Sequence, residues 1–171
     1  TETFECIGET TLDLSNYQEK ISAGTDLILS GLTIGVNTNG TIADSKLMSF
    51  VAGSETHASG KGAIALGVGT SAMNNGTIAL GLGTKAMNAG SLAMGANTTA
   101  NGTYSVAEGS MTLANGMGSH AEGLTTKAFG DGSHTEGGST SSYYISHAEG
   151  SDTLASGTGA HSEGQMTKAY D

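Results

Sequence analysis

Proline and tryptophan are absent from the 171 residues, and cysteine occurs once, at Cys6. One cysteine has no partner within the chain, so no intrachain disulfide forms, and the lone thiol says little about redox compartment. Aromatic residues make up only 5 % of the chain and charged residues 13 %, which argues against a globular core of large side chains and for a thin, repetitive one. Positive charge is scarce as well: six Lys and Arg stand against sixteen Asp and Glu, for a net charge of -10. No basic patch can form, so neither nucleic acid nor an anionic membrane is an expected partner. No apolar run approaches the ~20 residues needed to span a bilayer, and no membrane insertion of this segment is expected. The sequence opens on Thr1 rather than Met, which reads as a fragment or a processed product.

What the chain has is glycine, 28 of them, in a period. The glycine closing each five-residue segment recurs at Gly53, Gly67, Gly81, Gly95, Gly109, Gly123, Gly137, Gly150 and Gly164. Each step is 14 residues, except 13 from Gly137 to Gly150. Nine copies therefore run from Ser49 onward, the last cut short at Asp171. Position 8 of every copy is threonine, from Thr56 to Thr167, and position 10 is alanine except at Ser142. A 14-residue unit with glycine at its corners is too short for a helical hairpin. It suits one coil of a parallel β-solenoid or β-roll, with two strands of four or five residues and turns where glycine permits positive φ. Coils stacked at about 4.8 Å would make a rod segment roughly 40 Å long. The expected fold is all-β over 49–171.

Side chains alternate across a strand, so positions 2 and 4 share one face. Segments such as Ile78-Ala79-Leu80 and Leu92-Ala93-Met94 are apolar or small on both faces, and a strand of that kind is covered on both faces. Alanine at position 3, threonine at 8 and alanine at 10 then fill the coil, while position 9, which includes Lys85 and Lys127, faces water. Ile64, Leu66, Ile78, Leu80, Leu92 and Met94 point outward onto something that also excludes water, most simply further copies of the chain. An alanine-filled coil buries little apolar area, so association is expected to supply much of the core.

The stretches "GAIALGVGTSAMNNG" and "GTIALGLGTKAMNAG" resemble the head repeat of trimeric autotransporter adhesins, the YadA-like left-handed β-roll family. The resemblance covers about 120 of the 171 residues. It implies a homotrimer whose rolls pack around a common axis, with positions 2 and 4 at or near the subunit interface. The "SHAEG" variant is similar to repeats in tail-fibre and surface proteins of phages of Gram-positive bacteria, where a self-cleaving chaperone often follows. The resemblance implies an extracellular, non-catalytic module of a phage tail fibre or bacterial surface fibre that attaches to a host-surface glycan or protein.

This sequence departs from the adhesin pattern in its later copies. Position 4 turns to glutamate from Glu108 onward, and position 2 turns to histidine at His120. The pairs His120 and Glu122, His134 and Glu136, His147 and Glu149, and His161 and Glu163 form an expected interface stack, in which histidine of one chain meets glutamate of its neighbour. Equivalent copies with no nucleophile or cofactor motif argue against acid/base catalysis, and no cofactor is expected. A metal ion on the trimer axis is the alternative, because a threefold axis would bring three imidazoles together in one layer, at His120, His134, His147 or His161. The threonine column also raises ice binding by a flat β-solenoid face, against which stand its parity with position 10 and the mixed residues at position 9. A fibre-borne glycan depolymerase would need residues beyond these repeats.

Residues 1–48 lie outside the period. Their alternation, the Ser30-Gly31 link and an Asn39-Gly40 turn predict a small β-rich cap or connector.

Overall fold

The computed structural model describes residues 49–170; the cap or connector expected over 1–48 lies outside the described residues. Each coil contributes one strand to each of two parallel nine-stranded sheets, and both sheets follow chain order. Coils are numbered here from their first residues, Ser49 for coil 1 through Ala160 for coil 9. The long strand occupies positions 2 to 6, as in Ile64–Val68, Ile78–Leu82 and His120–Leu124. The second strand is shorter than the four or five residues expected. It spans two, as in Ser71–Ala72 and Lys127–Ala128, because the chain bends again directly after position 10.

The inside of the roll is built from small residues. Ala65, Ala79, Ala93, Ala107, Ala121 and Ala148 at position 3 and Ala72 to Ala155 at position 10 are fully buried, with the threonines of position 8 beside them from Thr70 to Thr153. Position 1 also turns inward. Its hydroxyls close the corner before them: Ser105 Oγ donates to the Gly102 carbonyl at 2.7 Å, Ser119 to Gly116 at 2.7 Å and Ser133 to Gly130 at 2.7 Å. Each of these carbonyls also accepts from the backbone N–H of the same serine at 3.2 Å, so the hydroxyl adds a second donor to the turn. Methyl-sized side chains bring the two sheets close, so cohesion rests on register-aligned stacking more than on apolar area.

The glycine of position 5 sits within the long strand rather than at a corner. Gly95 has φ +114 and Gly123 φ +111, and a Cβ on either would collide with the carbonyl oxygen of the next coil's glycine, Gly109 or Gly137. Only glycine satisfies both the backbone and the spacing. Position 7 shares the left-handed conformation yet carries Asn97, Met111, Thr125 and Asp152 at φ 54 to 57. Hydrogen bonds to the previous coil hold it there, such as Thr125 N to Ser110 O and Met111 N to Ala96 O.

Candidate functional site

The outward face of the long sheet carries the variation that the regular backbone leaves free. Parallel, unshifted pairing stacks like on like: Ile64 on Ile78 on Leu92 on Val106 at position 2, and Leu66 on Leu80 on Met94 on Glu108 at position 4. These side chains stay half-exposed in the single chain while every alanine beneath them is buried. Beyond Val106 the same columns continue as His120, His134, His147 and His161, and as Glu122, Glu136, Glu149 and Glu163.

Register makes the histidines a stack. His120 and His134 have ring centroids 4.8 Å apart and planes 6° from parallel; His134 and His147 lie 4.7 Å apart at 20°; His147 and His161 are 4.9 Å apart and tilted by 44°. Burial, then the neighbouring His120 and His147, hold the His134 imidazole below its ordinary pKa, and Glu136 and Glu122 oppose this only in part. The Nε2 atoms of His120, His134 and His147 are buried and find no hydrogen-bond partner within the described residues. Glutamates of the same coil stand too far off to supply one: His147 Nε2 is 3.9 Å from Glu149 Oε2, and His161 Nε2 is 3.8 Å from Glu163 Oε2.

A metal held by stacked rings of one chain meets a geometric objection. An ion lies in the plane of each imidazole that binds it, about 2.0 Å from nitrogen, and near-parallel rings 4.7 to 4.8 Å apart do not converge on one point. The group that does converge joins the first histidine to two carboxylates. Glu108, His120 and Glu122 bring their ligand atoms within 4.8 Å of one another. Glu108 was not among the residues singled out from sequence; its signal was the position 4 switch, which precedes the histidines by one coil. The threonine column lies inside the roll, so it does not form the outward flat surface that ice binding requires.

The YadA head domain repeat family matches twice, at residues 58–84 and 88–110. That stretch is similar to YadA-type head repeats. No curated protein matches the chain. The two matched head repeats span the coils with an apolar outward face and end at coil 5, where Glu108 introduces the first charge into the position 4 column. Among the described residues no helix is long and apolar enough to cross a membrane.

Proposed function

We propose that the chain is a non-catalytic structural and adhesive module of a trimeric extracellular fibre, carried on a phage tail or a bacterial surface, that attaches to a host glycan or protein. One observation carries the reading: the outward columns Ile64-Ile78-Leu92 and Leu66-Leu80-Met94 run in register along the rod, with a sealed alanine layer directly behind them. A stripe of that kind is half of an interface, and three copies around an axis bury it from all sides. The matched head repeats support a fibre module of the adhesin type. The orphaned Nε2 atoms support it too, because a buried unmet nitrogen costs about 1–3 kcal/mol and a glutamate of a neighbouring chain would satisfy it.

Light scattering on the purified segment tests the assembly, with a three-chain mass as the expected result and a stable folded monomer as the result that ends the proposal. A chelator separates the two accounts of the charged coils. Melting unchanged by chelation agrees with histidine-glutamate hydrogen bonds between chains; a lowered melting temperature would assign those coils to a metal ion.

A further inference from the structure

One corner of the rod breaks the period. Coil 7 has 13 residues, and the lost residue comes from the turn after the short strand, where coils 6 and 8 carry Gly132 and Gly159 at φ +62 and +73. At the shortened turn both Tyr144 and Ile145 have positive φ, 39 and 56, where a full-length turn has one such residue, as at Tyr104 with φ 58. Left-handed backbone is costly for an aromatic residue and more so for a β-branched one, and strain of this kind gathers at ligand-holding positions. A short turn between two full ones leaves a hollow of about 390 Å³, lined by Phe129, Gly130 and Asp131 of coil 6, Tyr144 and Ile145 of coil 7, and Thr158 of coil 8. Phe129 stacks on Tyr143 at 4.9 Å, which fixes one wall, and Tyr144 and Ile145 remain 65 % and 67 % exposed. In a chain with 5 % aromatics, three aromatic residues meet at this corner.

We infer that this hollow binds a neutral hexose of a surface glycan. The inference rests on the adhesive reading above and names the site that reading lacks. A hexose presents an apolar C–H face and a rim of hydroxyls. An aromatic wall matches the first, and Asp131 with Thr158 matches the second. Asp131 is held in place, its Oδ1 accepting from the Met117 backbone N–H at 2.7 Å, and its carboxylate keeps further acceptor sites for sugar hydroxyls. The carboxylate in the wall and the chain's charge of -10 disfavour sialylated or phosphorylated sugars. A folded protein partner needs roughly 800 Å² on each side, far more than a hollow spanning three turns offers. The hollow lies at the corner following the short strand, away from positions 2 and 4, so a trimer would carry three such sites and gain by multivalent attachment.

Saturation-transfer NMR against neutral gluco-, galacto- and manno-oligosaccharides tests this, with the oligomeric mass measured on every sample. Transfer to at least one neutral hexose is expected. Tyr144→Ala should weaken binding roughly tenfold or more, as loss of an aromatic anchor does, and Asp131→Asn should weaken it by a smaller factor. Inserting one glycine between Ile145 and Ser146 restores the 14-residue turn and should abolish binding while the assembly mass stays the same. Tyr104→Ala, at the corresponding corner of coil 4, should change nothing. Absence of transfer from every neutral oligosaccharide, or binding indifferent to Tyr144→Ala and to the glycine insertion, overturns the site even if the trimer forms. A monomeric mass would instead remove the assembly reading and leave the hollow to be judged by transfer alone.

Discussion

Coils 2 to 4 and coils 6 to 9 share one backbone and differ on one face. Both halves have the same strand lengths, inner columns of small buried residues and the same glycine at position 5, the second half placing Thr135 and Ser162 at position 3 and Ser142 at position 10. The first half turns Ile, Leu and Met outward at positions 2 and 4, whereas the second turns His and Glu outward there. The roll is thus specified from inside, and the outward columns are free to change chemistry without disturbing the coil. In the proposed assembly an apolar half would adhere to its neighbours regardless of pH, whereas a histidine-glutamate half would adhere in a way that depends on protonation.

Several substitutions bear on this comparison. The largest effect should come from the shared backbone: Gly95→Ala and Gly123→Ala each put a Cβ into the next coil's carbonyl at positive φ, and each should cost on the order of 4 kcal/mol or prevent folding. Thermal melting that showed one tolerated and the other not would contradict a common frame. Next comes the apolar half. Leu80→Asp sets a charge on the stripe between Leu66 and Met94 and should cost about 3 kcal/mol, seen as dissociation by light scattering, whereas Glu136→Leu in the other half should raise the melting temperature.

Acid should act on the second half alone. Burial and flanking histidines hold His134 below its unfolded value, so its neutral form is favoured by folding. The stability it contributes is complete above the unfolded value of about 6.5 and is lost as pH falls through the folded pKa, where stacked imidazolium rings repel. Melting followed from about pH 8 to 5 should decline on the acid side. Replacing His120, His134, His147 and His161 together by isoleucine should flatten that decline, and a decline that survives the replacement would place the titrating groups elsewhere. The smallest effect belongs to the inner columns. Thr84 and Thr126 bury Oγ1 without a hydrogen-bond partner, so Thr84→Val and Thr126→Val should each stabilise by roughly 1 kcal/mol or less, by similar amounts in the two halves, as read by denaturant unfolding.

Much of this arrangement was legible in the residues. The glycines from Gly53 to Gly164 show the coil length and its single exception, and the parity of Ala65, Thr70 and Ala72 places them on the inside. The change from Met94 to Glu108 marks where the outward face alters, although only the folded strand brings Glu108 beside His120 and Glu122. The inward turn of Ser105 and Ser119 follows from the same alternation, position 1 sharing a face with position 3, but their hydrogen bonds to Gly102 and Gly116 depend on the path of the preceding corner.

By itself the sequence determined what repeats: coil length, coil number, the small inner residues and the order of outward chemistries along the rod. These are one-dimensional properties, and parallel stacking at fixed register copies them directly into space. Tertiary structure alone decided what depends on the route between strands. It cut the second strand to two residues, set Thr125 and Met111 into left-handed corners, brought four imidazoles into one stack, and opened a hollow where the 13-residue coil lies between full ones. The physical reason is that a turn's conformation is selected by hydrogen bonds to the coils above and below it. Tyr144 and Ile145 acquire their positions only once those coils are in place.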